Sequence, residues 1–368
     1  MNNIKILHII NNLGSGGAEK LIEDTLPILH KKENLEVELL LLTDKNNVFA
    51  ESLKKQGVEI NVIGTKNIYS PTNIFSIRRF IKNNDFDIIH AHLFPTLYWT
   101  ALATKTLLNK KFNLILTEHN TRNGRRAHFF FRPVEKFIYN EYDKVVSISQ
   151  KTEDNLIDWL GVKKNNKFTI VENGIDTQKF NEAEAYSKEE LCSTCSEDDI
   201  FITMVGSFSK QKDQKTLINA MEQIDDKVHL FLVGQGQLLD EHKEYVNNLN
   251  LNNRVHFLGF RNDVDRILKT SDIVVLSSHW EGFGLAAVEG MAAGKPVIAS
   301  DVSGLREVVK GAGLLFEQGD EEELAEIINK VLDDKEFYRL VSQKCLKKSK
   351  KYDINNMCEK MIDTYNSL

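Results

Sequence analysis

No apolar run in this 368-residue chain approaches the ~18–20 residues that span a bilayer. The amino end, MNNIKILHIINNLGSGG, has one lysine, an apolar run broken by His8 and no convincing cleavage site, so a buried first strand is expected there and not a signal peptide. Cysteine is scarce. Four residues in this length do not make a disulfide framework, and the cytoplasm is the expected compartment. Cys192 and Cys195 form a lone C-x-x-C, with Cys345 and Cys358 at the wrong spacing for a second zinc-ribbon pair; an incidental pair is expected. A dinucleotide fingerprint would need a third glycine where Glu19 stands, and Asp44 lies too far from Gly14 for the ribose-binding acid, which leaves an oxidoreductase weakly supported. No short repeat is evident, and no nucleic-acid-binding module is recognisable.

What is present is a soluble globular composition, 42% hydrophobic and 27% charged, long enough for two domains. The net charge of −6 is uneven. Residues 1–176 hold 24 basic against 20 acidic side chains; the remainder holds 23 against 33. The first part is the one expected to face an anionic partner.

Apolar runs alternate with helical patterns throughout, which predicts α/β layers with mostly parallel strands. Strands are expected at IKILHII, EVELLLLT, EINVIG, DIIHAH, NLILTEH, KVVSIS and KFTIVEN, then at FITMVGS, KVHLFLVG, RVHFLGF, DIVVLSS and KPVIAS. Two doubly wound domains follow, residues 1–176 and 200–346, joined by a charged linker at 177–199. Residues 347–368 are expected to form a terminal helix. Such domains bind ligands beyond the carboxyl ends of their strands, so facing pairs make a cleft.

The unusual residues fall just after strands. In SSHWEGFGLAAVEGMAAGKPVIAS, Glu281, Gly282, Phe283 and Gly284 form a loop, and a helix begins near Leu285. Its amino end offers unpaired N–H groups and partial positive charge, suited to phosphate. Glu289, about one turn in, can accept from a vicinal diol, and Glu281 from sugar hydroxyls. Lys212, after the first strand of the second half, is a plausible phosphate counter-ion, though Lys210 and Lys215 compete and most lysines are simply solvated. His90, His92 and His119 sit at expected strand ends and point to a polar pocket; a metal there lacks a clear third ligand. In TRNGRRAHFFFRP, Arg122, Arg125, Arg126 and Arg132 surround Phe129, Phe130 and Phe131. That mixture suits an anionic bilayer or plain packing equally.

Taken in order, Gly16-Gly17-Ala18-Glu19, VENGID, VGSFSKQKDQKTLI, FLVGQGQLLDE, HFLGFRNDV, Glu281 and Glu289 with seven residues between, GLREVV and GAGLLFEQGDEEELAEII resemble the retaining nucleotide-sugar glycosyltransferases of family 4, or group 1, with the GT-B fold. The resemblance covers nearly the whole chain. It implies that the second domain holds a nucleoside-diphosphate sugar and the first the acceptor. Lys212 and the amides of Gly282, Phe283, Gly284 and Leu285 would meet the diphosphate, Glu289 the ribose, Glu281 the donor sugar, and Arg261 the base through its backbone. Gly16 and Gly17 would border the diphosphate from the other domain. His92, His119 and Asn120 would meet the acceptor, with Glu281, His119 and Lys212 nearest the reaction. Arg125, Arg126, Phe129, Phe130 and Phe131 are the candidate membrane contacts. Ser207 stands where such enzymes often carry an arginine. No metal or cofactor is expected; the partners are a UDP-hexose or UDP-N-acetylhexosamine and a glycan or lipid-linked glycan at the inner face of the membrane. A nucleotide-sugar 2-epimerase and a non-catalytic sugar-nucleotide-binding scaffold remain alternatives.

Overall fold

A computed structural model describes residues 3–107, 111–121 and 124–368. The chain divides into two compact units, Met1–Gly174 with Ile354–Leu368, and Ile175–Asp353.

Among the described residues, the first unit holds seven parallel strands: β1 Ile4–Ile10, β2 Leu35–Leu41, β3 Glu59–Val62, β4 Ile88–His92, β5 Asn113–Glu118, β6 Lys144–Ser147 and β7 Phe168–Ile170. Their order in the sheet is β3-β2-β1-β4-β5-β6-β7. The second unit holds β8 Ile200–Val205, β9 Val228–Val233, β10 Val255–Gly259, β11 Ile273–Leu276, β12 Val297–Ser300 and β13 Leu314–Phe316, in the order β10-β9-β8-β11-β12-β13. All of these pairs are parallel too. Parallel strands carry crossover helices on both faces, so the central ones are buried on both sides and largely apolar, while β2 begins in alternation and the edge strand β3 is more open. Leu7, Ile9, Ile89, Leu114 and Leu116 in the first sheet, and Ile202, Leu230, Val275 and Ile298 in the second, are fully buried accordingly. The strand β13 was not expected; three residues between Gly313 and Glu317 are too few to show a pattern.

Each sheet reverses its strand order once, at β1/β4 and at β8/β11. The loops leaving these pairs diverge to opposite faces, and the crevice between them is where doubly wound sheets bind ligands.

Residues 177–199 are not a linker. Their charges are helix caps and clasps within the second unit. The Asp176 carboxylate accepts from the Lys179 amide at 2.9 Å, starting the Thr177–Glu182 helix. Ser187 and Glu190 form a reciprocal capping box on Lys188–Leu191. Phe180 is buried, and the Tyr186 amide donates to Thr270 Oγ1 at 2.9 Å. The terminal segment also divides later than residue 347. The Lys335–Ser349 helix belongs to the second unit, burying Val341 and Cys345. The Ile354–Asn366 helix belongs to the first, burying Met357, Met361 and Tyr365.

Candidate active site

In the second unit, the loops after β8 and β11 bring Lys212 and Glu281 together. The lysine stem lies on Gly206, where a Cβ would stand 3.2 Å from Lys212 Cδ. Its Nζ donates to Glu281 Oε1 at 2.5 Å. Glu281 is only 6% exposed. It also accepts from Ser278 Oγ at 2.8 Å and from Gln211 Nε2 at 3.4 Å, and Gln211 binds the Trp280 carbonyl at 3.0 Å. A carboxylate removed from water must be paired and hydrogen-bonded, and this one is. Ser278 and Gln211 were not singled out by sequence. Gln211 becomes a neighbour of Glu281 only when β8 and β11 pair, whereas Ser278 stands just ahead of Glu281 in the same loop.

The glycines in this region have specific tasks. Gly284 adopts φ +92°, and a Cβ there would meet Leu305 Cδ2 at 2.7 Å. It precedes the Leu285–Ala292 helix and brings no capping side chain. Gly290 lets this helix lie against β11, since a Cβ would stand 2.8 Å from Val274 Cγ1. Phe283 is buried edge-on to Tyr352 at 5.3 Å. Glu289, partly buried, lies in the second turn. Ser207 is exposed, 3.3 Å from Ser209 Oγ. The Arg261 guanidinium is held by Asp263, with Nε 2.7 Å from Oδ1. Leu285 is partly buried at the helix start, and Gly282 just ahead of it is too. A lysine, a helix amino end and two carboxylates thus share one switch point. The set can meet an anion on one side and hydroxyls on the other.

In the first unit, the carboxyl ends of β1, β4 and β5 assemble more histidine than sequence indicated. His8 Nδ1 lies 2.9 Å from His92 Nε2, and His92 Nδ1 lies 3.1 Å from His119 Nε2. The Tyr365 hydroxyl lies 3.3 Å from His8 Nε2 and 2.9 Å from His90 Nδ1. His90 Nε2 lies 2.7 Å from Thr117 Oγ1. The result is one chain of hydrogen bonds: Thr117, His90, Tyr365, His8, His92, His119. Burial pushes His8 down to about 3 and His119 down to about 4 from the usual 6.5, and lowers His90 and His92 as well. Each imidazole is therefore neutral near pH 7 and carries one N–H, so the chain has two polarities. In one, every ring donates toward Thr117 and His119 keeps Nδ1 as an acceptor; in the other, that atom is a donor. About 20 Å³ of space beside the rings is enough for one water. His92 is 3% exposed with both ring nitrogens engaged, so it reaches an acceptor only through His119. Asn120 is exposed, its amide donating to Glu118 Oε1 at 3.2 Å.

Gly16 and Gly17 are exposed at the start of the Gly17–His30 helix. The Glu19 carboxylate folds back over Gly16, where a Cβ would stand 2.3 Å from Oε2. Burial raises this carboxyl. An anion approaching Gly16 therefore meets a carboxylate already there.

The two arginines expected at a membrane surface turn inward. Arg125 Nε lies 2.8 Å from Oε1 of fully buried Glu135, and its guanidinium stacks on Phe94 at 4.1 Å. Arg126 Nη2 lies 2.8 Å from Glu118 Oε2. Glu135 also accepts from Trp159 Nε1 at 2.7 Å. Both arginines neutralise buried acids on neighbouring elements, Glu118 at the end of β5 and Glu135 in the Phe131–Asn140 helix. The aromatic part stays outside: Phe129 is 83% exposed and Phe130 58%, beside exposed Val134 and Phe137, while Phe131 is partly buried. Arg122 lies outside the described residues.

The chain carries two Asp-x-Asp triplets, at 85–87 and 263–265, and both are committed elsewhere. Asp87 accepts from the Lys5 amide at 2.8 Å, Asp263 from Arg261, and Asp265 pairs with Lys179 at 3.3 Å.

Comparison with known proteins divides along the same lines. Residues 193–348 match the family model of group 1 glycosyl transferases, and residues 15–179 that of Glycosyltransferase Family 4. The chain is 28% identical over 310 residues to a UDP-Gal:alpha-D-GlcNAc-diphosphoundecaprenol alpha-1,3-galactosyltransferase of Escherichia coli, covering 80% of this chain and 78% of that one. It is 26% identical over 356 residues to an N-acetylgalactosamine-N,N'-diacetylbacillosaminyl-diphospho-undecaprenol 4-alpha-N-acetylgalactosaminyltransferase of Campylobacter jejuni, covering 94% of each. Among solved structures, Anabaena HepE in complex with UDP and glucose superposes with a TM-score of 0.87 over the full length of both chains, at 23% identity.

Proposed function

Because the chain belongs to the group 1, family 4 glycosyltransferases and has their two-domain GT-B fold, we propose that it moves a sugar from a UDP-linked hexose or N-acetylhexosamine to a hydroxyl of a glycan or lipid-linked glycan during cell-surface polysaccharide synthesis. The names of the two relatives above, both acting on diphosphoundecaprenol-linked sugars, support the acceptor class, and UDP in HepE supports the base.

The observation that carries this reading is the meeting of Lys212 and Glu281 at the β8/β11 switch point, beside the amino end of the Leu285–Ala292 helix. The donor diphosphate meets that helix end, the amides of Gly284 and Leu285, and Lys212. Negative charge builds on the diphosphate as the glycosidic bond breaks, and fixed donors stabilise it without reorganising. With Ser207 in place of an arginine, Lys212 carries more of this charge. Glu281 orients the lysine and accepts from donor-sugar hydroxyls; Glu289 accepts from the ribose diol. Transfer proceeds with retention, the acceptor attacking the same face with its proton passing to the leaving phosphate, and without a catalytic metal. His119, neutral at the end of its hydrogen-bonded chain, donates from Nδ1 to the acceptor hydroxyl oxygen in the polarity that protonates Nδ1, leaving the hydroxyl proton to the phosphate. Phe129, Phe130, Val134 and Phe137, flanked by exposed Arg132 and Lys136, form the surface that meets a bilayer holding a lipid-linked acceptor.

The test is a thermal-shift screen of nucleotides and nucleotide sugars. UDP and at least one UDP-sugar are expected to raise the melting temperature, since a ligand bound only by the native state stabilises it. A shift with no nucleotide sugar, or with GDP-sugars alone, contradicts the donor assignment.

A further inference from the structure

The amino ends of β8, β9 and β10 carry a second cluster, at the opposite edge of the sheet from Lys212 and Glu281. The ladder pairs Phe201 with His229 and Phe231 with His256. His229 and Phe231 are two residues apart on β9, so all four side chains share one face of the sheet. Onto that face folds the turn after the Lys188–Leu191 helix, in which the Cys195 amide donates to the Cys192 carbonyl at 3.0 Å. Cys195 Sγ lies 3.4 Å from His229 Nδ1, Cys192 Sγ lies 3.9 Å from His256 Nε2, and the two ring nitrogens are 3.0 Å apart. The four atoms lie within 4.8 Å of one another. The structure draws the sulfurs as a disulfide, Cα atoms 5.4 Å apart.

We propose that, when Cys192 and Cys195 are thiols, this cluster holds one structural zinc ion through Cys192 Sγ, Cys195 Sγ, His229 Nδ1 and His256 Nε2. Tetrahedral zinc with its usual bond lengths sets ligand atoms about 3.3–3.8 Å apart. The sulfur–nitrogen and nitrogen–nitrogen contacts already lie close to that range, so the main change needed is separation of the sulfurs. Two thiolates cancel the charge of the ion, which suits a pocket walled by Phe201, Phe231, Leu191 and Leu258. Phe231 stacks on His256 at 4.7 Å, fixing its ring. The far nitrogen of His229, Nε2, faces Asp199 Oδ2 at 3.7 Å, the carboxylate–histidine arrangement that orients a metal-bound imidazole. Asp199 also accepts from the Ser196 amide at 2.7 Å, so it ties the cysteine turn to the same histidine. With four protein ligands the ion has no open position, and it fastens residues 192–199 to the sheet without entering glycosyl transfer.

The chemistry balances. A thiol reductant adds two electrons and two protons to the Cys192–Cys195 bond and is itself oxidised to a disulfide. Zinc binding then releases both thiol protons to water. Sequence spacing missed the site because the histidines come from two strands, 34 and 64 residues from the sulfurs they face.

The experiment titrates Co²⁺ into the full-length chain, reduced with a phosphine and kept free of chelators. The reduced chain is expected to take up one equivalent with the visible bands of tetrahedral thiolate-bound cobalt, which Zn²⁺ then displaces while raising the melting temperature. Cys195→Ser and His256→Ala are expected to lose the bands, and Asp199→Asn to keep them at about 10–100-fold weaker affinity. Cys358→Ser, altering a buried cysteine of the first unit that is in no disulfide, is expected to bind as the unaltered chain does. The oxidised chain, which needs no substitution and retains the fold described here, is expected not to bind. A reduced chain without the cobalt bands, bands that persist in the Cys195→Ser or His256→Ala chain, or equal binding by the oxidised chain overturns the proposal.

Discussion

Lys212 and Glu281, 69 residues apart, form a charge-assisted hydrogen bond of 2.5 Å in which both side chains are largely buried. Removing one partner of such a pair leaves the other charged and unpaired, at a cost of about 3–5 kcal/mol. Lys212→Ala is therefore expected to lower both stability and transfer, the latter by about 10²–10³ in kcat. The Lys212→Ala, Glu281→Gln double variant separates the two effects. Its melting temperature should recover toward that of the unaltered chain while its activity stays low. A stable, fully active double variant would remove both residues from the mechanism.

Gly284→Ala places a Cβ against Leu305 at a left-handed backbone position. Strain of this kind costs about 1–3 kcal/mol, and the helix start relieves it by moving. The donor KM is expected to rise about tenfold or more, with acceptor KM unchanged. Equal changes in both, or none, would show that this helix end does not touch the donor.

Tyr365→Phe deletes the hydroxyl that joins His90 to His8. Two buried ring nitrogens lose their partner, at about 1–3 kcal/mol of stability. Because His119 is then no longer tied to Thr117 through the chain, kcat should fall and its pH profile shift, whereas donor binding by UDP titration should not change. An unaltered pH profile would reduce the imidazole chain to packing.

The same histidines set a pH dependence of stability. Their folded-state pKa values lie below 6.5, so between 6.5 and about 4 the unfolded chain binds more protons. Stability is then full above about pH 6.5 and declines as pH falls toward 4. Calorimetry between about pH 7 and pH 5, above the range where most carboxylates titrate, should show a falling melting temperature. A flat or rising profile contradicts neutral burial of the four rings.

Most of this architecture was legible because parallel strands buried on both faces leave short unbroken apolar runs, as LLLL within EVELLLLT and IVVL within DIVVLSS show. The loop and helix start from Glu281 to Glu289 were legible because their glycines and acids are close together in sequence. What failed needed partners that only the folded chain shows. Arg125 and Arg126 look like surface charge until Glu118 and Glu135 are seen beneath them. The charges of 177–199 look like a linker until they are seen as caps. His8 looked like an interruption in an apolar strand, although it stands at the centre of the imidazole chain.

A crystal structure with UDP bound tests the central claim most directly. The expected density places the pyrophosphate at the amino end of the Leu285–Ala292 helix within hydrogen-bond distance of Lys212, with the ribose hydroxyls on Glu289. Uridine diphosphate bound elsewhere, with Lys212 still committed to Glu281 alone, would contradict it.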